Sequence, residues 1–502
     1  MQDIKKDLLS RKATILAALL AAPLFLSPLP ATAQTDSTPS DLDAVLEGFD
    51  IEQPPEEPAS DQGLDAVLGG FEEEGLSSDL QTEAEGDSAW LPGWLSIDGW
   101  LQFGTTYTIA HDAPAEGETD WRGFSKTRTD LQIDLEARFS DAWSAKVGGK
   151  AFYDGIYSLR GRDEYTSYVL DEYEDEVELR EAYLQGKLTD KLDLKIGRQI
   201  VVWGKSDNIR ITDVLNPLDM REPGLTDIED LRLPLAMTKL DYYFGNWELS
   251  GIAVHEIRFN KLPVYGYDFY SYDEPLPPED EPANTLENTE WAISLSGIFT
   301  GWDLDLYYAR IFNDTPHLEY VVIDEENEST EIQRKHERMH MFGFAYNKAL
   351  GNWLVKTEGA LLNRVHYTNR PGVGYTRIDA LVGVEYSGFN ETSLSLELAN
   401  HHINNHRPYL EDAPDGVYQD MYQLAFRCTR DFLNDTLSVT LLAMLYGPSS
   451  ADGAYERLSF DYDVTDTITL RGGAVLYQSG DLLALQDVGD NDRIFAEIRY
   501  SF

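Results

Sequence analysis

Residues 128–139 read Arg128-Thr129-Asp130-Leu131-Gln132-Ile133-Asp134-Leu135-Glu136-Ala137-Arg138-Phe139. Leu131, Ile133, Leu135, Ala137 and Phe139 alternate with Arg128, Asp130, Gln132, Asp134, Glu136 and Arg138. A period of two sends successive side chains to opposite faces of a strand. This segment therefore has one lipid-like face and one strongly polar face. The alternation returns in Leu394-Ser395-Leu396-Glu397-Leu398. It returns again at 457–464, where Leu458, Phe460, Tyr462 and Val464 share a face. In the last strand Ile494, Ala496, Ile498, Tyr500 and Phe502 alternate with Phe495, Glu497, Arg499 and Ser501.

Counting such segments predicts about eighteen strands, the first over 95–111 and the last over 492–502. An even number places both ends of the barrel on one side. The short connections then fall together on that side, at 140–142, 189–191, 245–246, 300–301, 349–352, 388–391, 431–435 and 465–466. Trp143, Trp247, Trp302 and Trp353 stand at these turns, where an aromatic girdle would lie. The expected fold is an all-β, transmembrane antiparallel β-barrel of the outer-membrane type over 91–502. The final strand, with Tyr500 and a closing Phe502, resembles the assembly signal of bacterial outer-membrane proteins. That likeness implies the barrel-assembly machinery as a partner, with outer-membrane lipid and lipopolysaccharide around the folded barrel.

Composition agrees with this and excludes other classes. The chain has 502 residues, 89 acidic and 40 basic side chains, and a formal charge of −49. Mean hydropathy is −0.37. No long apolar run lies beyond the N-terminus, so a bundle of membrane helices is excluded. One cysteine rules out a disulfide framework or a multi-cysteine metal site. The acidic balance argues against a nucleic-acid partner, which needs a basic face.

Residues 1–33 read as a cleaved secretory signal. Lys5, Lys6, Arg11 and Lys12 precede a short apolar run, and Ala31-Thr32-Ala33 forms a small-x-small site. Residues 34–90 hold 17 acids and no Lys or Arg, a composition that stays disordered. Within this tail Leu42-Asp43-Ala44-Val45-Leu46-Glu47-Gly48-Phe49 recurs as Leu64-Asp65-Ala66-Val67-Leu68-Gly69-Gly70-Phe71. Leu42, Val45, Leu46 and Phe49 would share one side of a short helix, as would Leu64, Val67, Leu68 and Phe71. Such a segment is too short to be helical alone. Two tethered copies read as docking motifs for a periplasmic or inner-membrane transport partner, with avidity from duplication. The alternative is a plain spacer.

By parity Arg128, Asp130, Asp134, Glu136, Arg138, Lys146 and Lys150 face the lumen. So do Lys356, Glu358, Arg377, Asp379, Glu385, Arg471 and Arg499. Mixed charge suits a channel lining, and equally a merely wet interior. The connection 204–233 follows the fifth strand and carries Lys205, Asp207, Arg210, Asp213, Asp219, Arg221 and Arg232. Ile209, Ile211, Val214 and Leu215 are apolar enough to pack on a wall, and Asn216-Pro217 and Pro223-Gly224 mark turns. This loop is expected to fold inward and narrow the pore. Its four bases leave an anionic or amphiphilic passenger open.

The run Gly197-Arg198-Gln199-Ile200-Val201-Val202-Trp203-Gly204, followed by Asn216-Pro217-Leu218-Asp219 and Arg221, resembles a proteobacterial outer-membrane family of unknown function. Its members carry a GRQ…WG strand and an NP-D segment. The resemblance implies a barrel over residues 94–502, often encoded near envelope exporters of hydrophobic molecules. Arg198 shares parity with Leu194 and Ile196, and a bulge after Ile196 is the favoured way to turn it from lipid.

Other constellations carry less. His401, His402 and His406, with Glu411 and Asp412, match no closed metal motif, and read as solvated loop histidines. His255, His340 and His366 lack the partners a hydrolase needs. No catalytic residue, cofactor or metal is expected. Cys428 reads as a lipid-facing residue. The loops at 155–176, 260–289 and 313–336 hold 21 acids against five bases and read as a solvated outer rim. The expected function is an outer-membrane transport channel for an amphiphilic or hydrophobic molecule, working with an exporter. A general diffusion porin and a surface adhesion barrel are the alternatives. If the tail docks, residues 34–90 used as bait capture an envelope partner, and Leu46→Ala with Leu68→Ala abolishes capture. Capture unaffected by the double change would leave the tail a spacer.

Overall fold

The computed structural model describes residues 91–115, 117–324, 329–412 and 416–502. The signal and the repeated tail motif lie outside the described residues. Among the described residues twenty-one strands are numbered in chain order. The first seven are β1 (Leu95–Thr108), β2 (Gly123–Ser140), β3 (Trp143–Asp154), β4 (Asp175–Thr189), β5 (Leu192–Gln199), β6 (Leu235–Phe244) and β7 (Trp247–Val254). Next come β8 (Glu279–Asp280), β9 (Glu290–Phe299), β10 (Trp302–Phe312), β11 (His317–Asp324), β12 (Ser329–Lys335), β13 (Arg338–Leu350) and β14 (Trp353–Val365). The last are β15 (Tyr375–Phe389), β16 (Thr392–Ile403), β17 (Asp420–Phe432), β18 (Leu437–Tyr446), β19 (Gly453–Thr465), β20 (Ile468–Gln478) and β21 (Arg493–Ser501).

Eighteen of these form one antiparallel sheet, closed by the ladder of β1 on β21 from Trp100↔Ser501 to Thr108↔Arg493. Phe502 and Gly99 exchange backbone hydrogen bonds of 2.9 and 3.0 Å, so the final aromatic is part of that closure. The other three, β8, β11 and β12, make a small separate sheet from the long loops. All eighteen barrel strands match expected ones, and β3, β9 and β10 coincide end to end. The turns also match, with every short connection on one rim. The largest differences at strand ends are in β2, which starts at Gly123 rather than 128, β5, which stops at Gln199 rather than 203, and β7, which stops at Val254 rather than 259.

Period-two alternation decides the faces. Leu131, Ile133 and Leu135 are 36%, 39% and 38% exposed, whereas Asp130 is 2% exposed. A closed barrel with an apolar exterior and a polar interior is the β solution to immersion in lipid, because no backbone edge is left bare. Trp247 and Trp302 pack on Phe299, and Trp353 on Tyr386, at the short-turn rim.

Arg198 needs no bulge. Pairing of β5 with β4 and β6 is unbroken from Ile196 to Arg198. Gly197 has φ 129°, and a Cβ there would lie 2.2 Å from the Ala182 carbonyl oxygen. Backbone twist at this glycine turns the guanidinium to Glu256 at 2.8 Å and Glu178 at 3.5 Å.

The acidic loops are not simply solvated. Helices at Ile156–Arg160 and Ser167–Tyr173 bring Tyr157 and Tyr173 into a buried cluster with Trp121, Tyr165, Tyr267, Phe269 and Tyr477. Tyr173 and Tyr267 stack at 3.7 Å. Asp268 is buried between Arg493 and His111, both at 2.6 Å. His401 and His402 belong to β16 rather than a loop, and pair with Asp379 at 3.1 Å and Asp420 at 2.8 Å. Cys428 keeps its expected parity but is buried beside Leu394 and Leu441.

Facing predicts a sharp contrast. Ile133→Arg is expected to lower folding stability in lipid vesicles by about 2–4 kcal/mol, and Gln132→Arg, pointing inward, by less than about 1 kcal/mol, in denaturant titrations of the barrel.

Candidate functional site

The chain leaves the wall after Gln199, and residues 200–234 run inside the barrel before β6 resumes at Leu235. One buried side chain joins the two legs. Asn216 Oδ1 accepts from the Val201 N–H at 2.8 Å, and its Nδ2 donates to the Leu233 carbonyl at 2.8 Å. Asn216-Pro217, which reads as a turn, thus replaces the lost strand ladder at the neck.

The first half of the loop docks far across the lumen. The Lys205 and Ser206 N–H groups donate to Glu358 Oε1 at 2.5 and 2.7 Å. The Thr212 hydroxyl donates to Glu358 Oε2 at 2.7 Å. The Asp207 and Asn208 N–H groups donate to Glu397 at 2.7 and 3.1 Å. Lys356 reaches Asp207 at 2.6 Å. β14 and β16, which carry these carboxylates, stand six and eight strands from β5 in a ring of eighteen. Hydrogen bonds from backbone amides to an ionised carboxylate are the strong kind, worth about 1.5–3 kcal/mol each.

Above this polar cradle the inner wall is apolar. Met237, Ile252, Val254, Ile311, Met339, Met341 and Leu362 are buried in one cluster with loop residues Trp203, Ile209, Ile211 and Leu215. Trp203 stacks on Tyr307 at 4.7 Å. Each such side chain gains about 1.5–3 kcal/mol by leaving water.

The second half of the loop reaches the remaining walls. Glu222 takes Lys126 and the Tyr267 hydroxyl, the latter at 2.8 Å, and Arg128 lies 3.9 Å away. Burial alone would raise the Glu222 carboxyl; Lys126 and Arg128 overcome that and hold it well below the usual range. Asp227 binds Arg457 on β19. The Tyr477 hydroxyl donates to the Pro223 carbonyl at 2.6 Å.

The expected loop residues are therefore together, but as staples. Lys205 lies 3.3 Å from Asp305. Arg210 and Arg232 share Asp213 at 3.3 and 2.9 Å. Arg221 holds Asp219 at 2.6 Å and Glu176 at 2.8 Å. The four bases that left an anionic passenger open are all engaged by carboxylates. The wall residues pair likewise. Arg128 binds Asp130 at 3.0 Å, Arg138 binds Glu136 at 3.0 Å, and Arg377 binds Asp379 at 2.8 Å. Lys146 lies 2.8 Å from Glu181 and 3.7 Å from Asp134, and Lys150 lies 3.7 Å from Asp130. Glu385 lies 3.4 Å from Lys356, and Arg471 lies 2.5 Å from Asp461. Arg499 donates to Gln102 at 2.9 Å. Sequence reasoning missed Glu397 as a dock and the apolar inner wall. Strands apolar on both parities, such as 341–345 and 441–445, are the signal for the latter.

Glu358→Ala removes the acceptor for four donors, the N–H groups of Lys205, Ser206 and Thr212 and the Thr212 hydroxyl. Amide hydrogen exchange over 204–212 is expected to rise by about ten- to a hundredfold while exchange over β13 and β15 stays unchanged, corresponding to about 1.5–3 kcal/mol. Unchanged exchange in the loop would show that the apolar contacts suffice.

A search of curated proteins found no match. Among solved structures, the chain is similar to OccK11 (OpdR) of Pseudomonas aeruginosa at 10% identity, covering 81% of this chain and 96% of that one, with a TM-score of 0.47. It is similar to OccAB3 of Acinetobacter baumannii at 13% identity, covering 81% and 99%, with a TM-score of 0.49. It is also similar to OmpT, an outer-membrane protein of Vibrio cholerae, at 12% identity, covering 81% and 99%, with a TM-score of 0.38. Residues 95–502 match a family model, and the chain belongs to the family described as protein of unknown function DUF1302.

Proposed function

We propose that this protein is an outer-membrane transport channel, closed at rest by residues 200–234, whose passenger is amphiphilic or hydrophobic. The observation that carries the reading is the two-sided lumen. One side presents Met237, Ile252, Val254, Met339, Met341 and Leu362; the other presents Arg128, Asp130, Lys146, Lys150, Arg471 and Arg499. Beyond seating the loop, a wall of methionine and branched aliphatic side chains serves no small polar solute. A molecule with an apolar body and a polar end fits both sides once the loop withdraws. In this reading the tail faces the periplasm, and Leu42, Val45, Leu46 and Phe49 with Leu64, Val67, Leu68 and Phe71 hold an exporter partner. The tail motif and the genomic setting of the resembling family support that element.

The competing reading, a general diffusion porin, is separated by conductance. In planar bilayers the full chain is expected to be nearly silent, and a form with 204–232 replaced by a short Gly-Ser linker to conduct at least about tenfold more. Steady porin-scale conductance of the full chain would replace this reading with the diffusion porin. Silence of both forms would remove the channel altogether.

A further inference from the structure

The barrel wall has an incomplete seam along β4. The β4–β5 ladder runs from Thr189↔Leu192 to Ala182↔Arg198, and β5 then turns inward after Gln199. β4 continues through 175–181 with β3 beside it on the other edge. β5 and β7 have eight residues each. At about 3.3 Å per residue and a tilt of about 40°, eight residues rise about 20 Å, less than the apolar band of about 25 Å. The wall thus ends within the half of the bilayer nearest the long loops.

What stands in the notch is a strap of loop. Residues 218–220 pair with 231–233 on one side, through Asp219 N–H to Leu231 O at 2.8 Å. On the other side they pair with Lys261, through Met220 N–H to Lys261 O at 2.8 Å and Lys261 N–H to Leu218 O at 2.9 Å. Among the described residues no backbone–backbone hydrogen bond joins this strap to 175–181. Side chains make the junction instead. Glu176 takes Arg221 at 2.8 Å and also Lys261. Glu178 takes Arg258 at 2.6 Å, Arg198 at 3.5 Å and Lys261 at 3.7 Å. Arg180 donates to the Arg232 carbonyl at 3.3 Å. On the outer face of β4 Val177 is 85% exposed and Leu179 is exposed; Val202, Met220 and Leu262 of the adjoining loops are exposed too. The inner apolar wall begins beside the notch, at Leu235 and Met237 of β6.

We propose that this seam is a lateral gate, through which the passenger moves between the lumen and the outer half of the bilayer. The proposal rests on the channel reading above and adds a route to it. A strand ladder in hydrocarbon cannot part without stranding amides. Side-chain ion pairs can part without stranding an amide, and a charged headgroup with its water takes the place of each lost partner. The slot is charged and its outer flank apolar. It fits a single-chain amphiphile whose head stays among Glu176, Glu178, Arg221 and Lys261 while its tail slides into lipid.

Cross-linking tests the gate on one folded sample. In a Cys428→Ser background, Glu176→Cys and Lys261→Cys are installed in the full chain, which is reconstituted with its long loops outward. A dye-labelled lysophospholipid is enclosed on the tail side. Its arrival in the outer leaflet is read by dithionite quenching, and its binding to the protein in detergent is read by fluorescence. A short bis-maleimide joining the two cysteines is expected to slow arrival about tenfold and leave binding within about twofold. Binding and arrival that both persist after cross-linking overturn the gate and leave the channel standing. The reference is the Cys428→Ser protein with Glu176 and Lys261 intact: if it neither binds nor transfers the probe, the amphiphile reading is overturned, and the gate with it. Because the fold is complete before the reagent is added, misfolding cannot imitate the expected result.

Discussion

An amide in hydrocarbon must find its hydrogen bond within the protein, because the solvent offers none. Each failure costs several kcal/mol. This constraint closes β1 on β21 and seals both ends of the sheet with Phe502 and Gly99. It also explains the neck of the inner loop. Where β5 leaves the wall, Asn216 supplies an acceptor for Val201 and a donor for Leu233, so a side chain stands in for a missing strand. The stretch of β4 above that point is where the rule is met least by backbone and most by charge.

The inner loop is held by two kinds of force that suit its two surroundings. Low in the lumen, Glu358 and Glu397 gather backbone N–H groups from 205–212, a charged acceptor for dipoles that would otherwise be buried unpaired. Higher up, Ile209, Ile211, Leu215 and Trp203 cover an apolar wall that water would otherwise wet. Neither group alone explains a loop that crosses most of the ring. The numerous lumen charges are chiefly internal partners. Arg210, Arg221 and Arg232 neutralise carboxylates of the loop and wall, so net charge says little about what passes.

Much of the barrel was legible because period two is a one-dimensional signal. Leu131, Ile133 and Leu135 declare an outer face without reference to any neighbour, and short turns declare their rim. The ends of β5 and β7 were not legible. The residues past Gln199, Ile200-Val201-Val202-Trp203, have good strand propensity, and only the fold shows that they turn inward. The site was partly legible. The loop's charges and apolar residues could be named, and Glu358 could be placed on an inner face. Its partners, more than 140 residues away in sequence, could not. The acidic rim misled for a related reason: composition does not reveal that Tyr157, Tyr173, Tyr267 and Tyr477 converge from four separate segments.

The sequence by itself determined the class of fold, the strand count, the faces of the strands and the side on which the turns lie. Those follow from alternation and chain length, which are local. The tertiary structure alone decided that the lumen is apolar on one side, that the loop's bases are already paired, and that β4 has no strand on its β5 edge over 175–181. Those follow from which strands face each other across a closed ring. No local pattern encodes that distance, because ring closure brings together residues whose separation along the chain is arbitrary.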